Sequence, residues 1–347
     1  MKAVAFTHDV PSQRVVFASG ALARVADEAA RLKIERALVV ATPGSGARLG
    51  KKVCELLGTR AAGLHAQAVM HVPKAVAEAG LKAARENKAD GLIAVGGGSA
   101  IGLAKAIALE TGLPILALPT TYSGSEGTPI FGMTDGERKI TGRDAKVVPR
   151  TIIYDPDLTL GLPAAVSAAS GMNAIAHCVE ALWVDTRTPV TVGLATEAAR
   201  RFGKSLSAVV ARGSDVAARG ECLIGAWLAG TVLSAGTALH HKLAHVLGGL
   251  GLPHAETHAI ILPHVMLFNL EAAPEAEARL QDALGHDAPA AAVAAMLHSF
   301  PIPKRLRDIG FDVAKADFVA DEIAAAAITA PRPASASDVR ELLAAAF

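Results

Sequence analysis

The chain has 347 residues, 51% of them apolar and 19% charged, with a formal net charge of +1. That length suffices for two domains and a large core, and so small a charge excludes nucleic-acid binding driven by a basic surface. Three well-separated cysteines, Cys54, Cys178 and Cys222, form no CxxC pair and read as reduced thiols of a cytoplasmic protein.

The start, Met1-Lys-Ala-Val-Ala-Phe6, runs straight into Thr7-His-Asp9 without the apolar core of a signal peptide. No apolar run free of charge, Gly or Pro is long enough to span a membrane. The first 155 residues alternate short β-branched runs with helical patterns. Strands are expected at Arg14–Phe17, Ala37–Val40, Gly91–Val95, Pro114–Leu118 and Thr151–Tyr154, with helices at Ala21–Lys33 and Lys74–Asn87 between them. Such alternation around continuously apolar strands indicates a doubly wound, mostly parallel sheet. After Asp155-Pro-Asp157 the strand-like runs stop. Ala/Leu-rich helical stretches continue to Phe347, punctuated at Gly248-Gly249, Pro263, Pro301 and Pro331. We therefore expect an α/β dinucleotide-binding domain over 1–157 and an all-α domain over 158–347, with the active site between them.

Two loops of the first domain carry chemistry. Gly96-Gly-Gly-Ser-Ala-Ile-Gly102 follows a strand and opens a helix, so its backbone can approach a phosphate at the helix N-terminus. The same glycines would also serve a plain strand-to-helix turn. Pro119-Thr-Thr-Tyr-Ser-Gly-Ser-Glu126 follows the next strand and sets hydroxyls where parallel sheets bind ligands. Ser123 and Glu126 there also have the spacing of a capping box.

The helical half holds the densest signal. Six of the twelve histidines, His240, His241, His245, His254, His258 and His264, fall within residues 240–264, and His177 lies four residues after Asn173. Residues four apart share a helix face, so Asn173/His177, His241/His245 and His254/His258 form three pairs suited to metal binding or proton transfer. His8, His65, His71, His286 and His298 lack such company and read as surface or structural.

Together, Phe17-Ala-Ser-Gly-Ala-Leu22, Gly96-Gly-Gly-Ser99, Pro119-Thr-Thr-Tyr-Ser-Gly-Ser125, Asn173 to His177, His241 to His254 and Pro331-Arg-Pro333 resemble the iron-containing alcohol dehydrogenase family. That resemblance implies the fold shared with dehydroquinate synthase. It also implies NADH or NADPH held at Gly96, Gly97, Gly98, Ser99, Thr120, Thr121 and Thr42, and commonly a homodimer. Metal-dependent members bind Fe(II) or Zn(II) through one Asp and three His. The matching positions here are Asn173, His177, His241 and His254, and His245 matches a histidine near the nicotinamide.

Asn173 in place of Asp is the departure that counts, since a neutral amide is a poor ligand beside neutral imidazoles. With Leu239-His-His-Lys-Leu-Ala-His245 and Leu252-Pro-His-Ala-Glu-Thr-His258, it is similar to the branch of the family that reduces maleylacetate. The expected reaction is NAD(P)H-dependent reduction of the C=C bond, giving 3-oxoadipate in the breakdown of aromatic compounds, with no metal. A conjugated enone accepts hydride to give an enolate, which hydrogen-bond donors stabilise without a Lewis acid. We assign His241 and His245 to the oxygen and the proton, and Asn173, His177 and His254 to the oxygens of a dicarboxylate, with Tyr122 and Lys242 as further substrate contacts. On this reading the cluster is a cationic pocket. No carboxylate follows Ala37–Val40, where Thr42 stands, so NADPH is admitted beside NADH. The alternatives are a metal-dependent alcohol dehydrogenase using Asn173 as ligand, and a lyase of the dehydroquinate synthase kind.

Overall fold

The computed structural model describes residues 6–8, 12–136, 138–326, 328 and 331–347. The chain divides into two compact units between Gly161 and Leu162, and residues 6–8 belong with the second. In the first unit the elements run β1 (Arg14–Phe17), α1 (Val25–Arg31), β2 (Ala37–Ala41), α2 (Ser45–Leu57), β3 (Ala61–His65), α3 (Lys74–Glu86), β4 (Gly91–Gly96), α4 (Gly98–Thr111), β5 (Ile115–Pro119), β6 (Ile130–Asp135), β7 (Arg138–Arg143) and β8 (Thr151–Tyr154).

β1, β8, β5, β4, β2 and β3 form, in that order, a six-stranded parallel sheet. β2, β4 and β5 are buried along their whole length, which is why they read as unbroken apolar runs rather than alternating ones. Their successive residues feed opposite cores: Val39, Ile93 and Val95 pack with Val25 and Val53, whereas Val40, Leu92 and Ala94 pack with Ile101 and Ile107. Strand order reverses between β2 and β4, because the chain moves out to β3 and then returns. Ligands bind outside the carboxyl ends of strands at such a switch point, here beside Ala41 and Gly96.

Two features went beyond the expected elements. β3, Ala-Ala-Gly-Leu-His, lacks β-branched residues and pairs on one side only, with β2. β6 and β7 form an antiparallel hairpin whose reversal follows Asp135, with Gly136 at φ +60°; Asp-Gly is a hairpin signal that the sequence does contain.

The second unit is helical: α5 (Ala164–Ala181), α6 (Pro189–Ala211), α7 (Val216–Val232), α8 (Leu239–Gly249), α9 (His254–Leu270), α10 (Pro274–Leu284), α11 (Pro289–Ser299), α12 (Ala316–Ala325) and α13 (Ala336–Ala346). Among the described residues none is a strand, and no helix is long and apolar enough to cross a membrane. α5 and α6 approach closely at Gly171, where a Cβ would sit 2.6 Å from Leu206 Cδ1. Arg219 of α7 is fully buried, yet its guanidinium donates to Ser167 Oγ at 2.8 Å and to the carbonyls of Gly213 and Leu162. Leu243, Leu247, Ile261, Val265, Ile323 and Leu343 join α8, α9, α12 and α13 in one core.

Pro263 does not end a helix, contrary to its expected role. It is buried inside α9, where packing outweighs the lost hydrogen bond. Arg332 of the late Pro-Arg-Pro segment stands 4.0 Å over the Phe268 ring of α9, a cation–π contact.

Candidate active site

In the first unit, the residues expected to bind the dinucleotide lie at the carboxyl ends of neighbouring strands. Gly96 closes β4 at φ +141°, a region that favours glycine. Gly97 has Thr121 against it, so that a Cβ would meet Thr121 Cγ2 at 2.7 Å. The Thr120 amide donates to the Gly96 carbonyl at 3.1 Å. The loops after β4 and β5 therefore form one surface of backbone and hydroxyl groups. α4 opens from it with no side-chain cap on its first amides, leaving them to an anion. Thr42 follows β2, and its side chain stands over Gly46 of α2.

Three buried groups beneath this surface were not expected. Lys105 of α4 is 1% exposed, and its Nζ donates to the carbonyls of Ser125, Thr128 and Ile130 at 2.6–2.8 Å. Glu126 makes no capping box with Ser123. It is fully buried, and Tyr154 Oη donates to its Oε1 at 2.7 Å. Burial pushes the Glu126 carboxyl up and brings the Lys105 ammonium down to about 7, and each is drawn partway back by the other's charge. This knot moors the segment after the Thr120–Ser123 loop. Tyr122 is also fully buried.

In the second unit, α5 carries Asn173, His177 and Glu180, spaced four and three apart on one face. α8 supplies His240, His241, Lys242 and His245, and α9 supplies His254 and His258. The rings of His177 and His241 stack at 5.0 Å. His258 lies 4.8 Å from His241 and 4.4 Å from His254, and His245 lies 6.2 Å from His254. All the expected histidines thus gather in one cluster. Lys242 and His245 are exposed and His254 is half-buried, whereas Asn173, His177 and His241 are buried.

Glu180 was missed, although its spacing from His177 was readable. It is 1% exposed and accepts from His241 Nδ1 at 2.6 Å and from the amides of His240 and Ala238 at 2.6 and 2.9 Å. His240 and His258 were also left out of the expected site; they are fully buried and joined by a 2.8 Å hydrogen bond.

Not every ring of the cluster is cationic. Burial first, and neighbouring imidazoles second, hold His177, His240 and His258 well below the usual histidine range, so these three are neutral near pH 7. Asn173 Oδ1, His177 Nδ1, His241 Nε2 and His258 Nε2 are buried without hydrogen-bond partners. Buried polar atoms are normally satisfied, so this group marks a place for a polar ligand.

A divalent metal fits the donor set poorly. Among the described residues, the His, Cys, Asp and Glu side chains whose ligand atoms all come within 4.8 Å of one another are His240, His241 and His258, not His177, His241 and His254. His240 Nε2 and His258 Nδ1 are spent on each other, and Glu180 faces the far nitrogen of His241. Among the described residues no carboxylate joins the set, and the neutral Asn173 amide is a poorer ligand for a transition metal than a carboxylate.

Comparison with known proteins agrees with this anatomy. Residues 11–156 match the model of the iron-containing alcohol dehydrogenases, and residues 167–347 match that of the C-terminal part of the Fe-containing alcohol dehydrogenase family. A maleylacetate reductase from Pseudomonas knackmussii is 48% identical over 318 residues, covering 91% of this chain and 90% of its own. Another, from Pseudomonas sp. strain P51, is 42% identical over 344 residues, covering 99% and 97%. The crystal structure of maleylacetate reductase from Agrobacterium tumefaciens superimposes with a TM-score of 0.95 at 41% identity, covering 99% of each chain.

Proposed function

This chain belongs to the iron-containing alcohol dehydrogenase family of oxidoreductases, and we propose that within it the chain reduces the C=C bond of maleylacetate with NADH or NADPH and no metal, giving 3-oxoadipate in the breakdown of aromatic compounds. The observation that carries the metal-free part is Asn173. Its amide stands where metal-binding relatives place a carboxylate, buried with Oδ1 unpartnered one helical turn before the neutral His177 ring. Kinship to maleylacetate reductases at 42–48% identity over most of the chain supports the substrate.

When bound, the dihydronicotinamide supplies a hydride to the alkene carbon β to the ketone, leaving an enolate. Gly96–Ser99 and the first amides of α4 would hold the pyrophosphate, with Thr120, Thr121 and Thr42 as the further residues that would bind the dinucleotide. His241 presents Nε2 to the ketone oxygen, as a donor when its ring is protonated, and the Asn173 Nδ2 amide and His177 donate to the same region. These groups are fixed before reaction, so they stabilise negative charge on oxygen at little reorganisation cost. An enol is much more acidic than an alcohol, which is why hydrogen-bond donors or an imidazolium suffice where a simple carbonyl needs a Lewis acid. His245, exposed on the same helix face, passes a proton from solvent to the α carbon. Lys242 and His254 meet the carboxylates.

The substrate assignment is tested by following NADH oxidation with maleylacetate and with simple aldehydes or ketones. Turnover of maleylacetate is expected, with none of the simple carbonyls competing at equal concentration. Turnover of an aldehyde but not of maleylacetate would refute the assignment.

A further inference from the structure

We propose that Glu180 is the positioning residue of His241: its carboxylate takes the Nδ1 proton, so that Nε2 is the atom turned to the substrate. The proposal rests on the reading of His241 as the group that serves the ketone oxygen.

Glu180 sits on α5 three residues beyond His177 and is almost wholly buried. Its partners all come from the start of α8. Oε1 accepts the His240 amide at 2.6 Å, and Oε2 accepts both the Ala238 amide at 2.9 Å and His241 Nδ1 at 2.6 Å. Ala238 is the N-cap of α8 and offers no side-chain cap of its own. Glu180 therefore caps the helix from outside, where its charge meets the positive end of the helix dipole. Three donors and that dipole offset the desolvation of a buried carboxylate.

An ionised carboxylate only accepts, so the proton between the two residues belongs to His241 Nδ1. Nε2 is left as the free atom, a base in the neutral ring and a donor in the protonated one. Nε2 is buried without a partner, in a ring stacked on His177 at 5.0 Å. One carboxylate thus sets the rotamer and tautomer of His241 and docks α8 against α5. Helix capping alone would account for the two amides but not for the imidazole at 2.6 Å.

The test combines spectroscopy of the resting protein with kinetics. In wild-type protein the imidazole ¹H–¹⁵N spectrum is expected to show a slowly exchanging, strongly downfield Nδ1–H, assigned by its loss in His241→Gln. In Glu180→Gln that signal moves upfield. The same variant loses roughly 10- to 100-fold in kcat on maleylacetate, while KM for maleylacetate and NADH stays within about threefold. Glu180→Asp, which keeps the charge with shorter reach, recovers part of the lost kcat and of the downfield shift. A His241 with no proton on Nδ1 in the wild-type spectrum overturns the proposal, whether or not the variants fold. So does a Glu180→Gln enzyme of unchanged kcat whose only defect is a lower Tm. The spectrum needs no substrate. The signal present in a wild-type protein that does not turn over maleylacetate would therefore refute the functional reading while supporting the bond itself.

Discussion

His240 Nε2 and His258 Nδ1 lie 2.8 Å apart with both rings fully buried, so a single shared proton ties α8 to α9 directly behind His241. The pair is shielded from solvent that would stabilise a positive charge, and His177 is nearly as deeply buried. Their folded values lie well below the usual one, whereas in the unfolded chain each titrates near 6.5. The unfolded state therefore binds more protons below that pH. The stability these groups contribute is fully present above about pH 6.5 and is lost as pH falls toward their folded values. Thermal unfolding measured from pH 8 to pH 5 should show Tm level in the upper part and falling below about 6.5. The three groups act in the same direction, so the fall steepens as pH drops below about 6.5. A Tm that does not change over that range would show that the rings are charged or exposed in the folded protein.

Asn173→Asp restores an anionic donor beside His177 and His241. Bound iron or zinc per protomer should rise in protein purified with either metal present. The rate on maleylacetate should fall by at least about tenfold, because the new charge faces a dicarboxylate. Unchanged metal content together with an unchanged rate would make Asn173 incidental.

Thr42 is the first residue after β2, at the switch point of the sheet. An acidic residue there binds a ribose 2′-hydroxyl and repels a 2′-phosphate. Thr42→Asp should raise KM for NADPH by about tenfold or more and leave KM for NADH within about threefold. Equal changes for both cofactors would place the ribose elsewhere.

Lys105→Met removes the donor to three carbonyls and the cation beside Glu126. Breaking one member of a buried charged set costs about 3 kcal/mol or more. Urea unfolding should show a correspondingly lower midpoint at unchanged slope. A loss below about 0.5 kcal/mol, the usual size of surface effects, would contradict the knot.

What could be read in advance follows from where the physics is local. The parallel strands were legible because burial on both faces leaves continuous apolar runs, as in Ala37–Ala41 and Gly91–Gly96. The histidine-bearing helices were legible because i,i+4 spacing is a local property. β3 was not, since Ala61–His65 pairs only with β2 and carries no β-branched residue. Lys105 and Arg219 carry no local signal of their burial, because only tertiary placement gives a buried cation its acceptors. Glu180 shares a face with Asn173 and His177, but its partners lie sixty residues away on α8. The neutrality of His177, His240 and His258 was equally hidden, because it depends on burial and on rings from three helices.

The most direct measurement is the rate of NADH oxidation with maleylacetate by protein stripped of metal with a chelator and assayed in metal-free buffer. The metal-free account predicts the same kcat as untreated protein, and no gain on adding Fe(II) or Zn(II). A rate lost on stripping and restored by stoichiometric iron or zinc would contradict it.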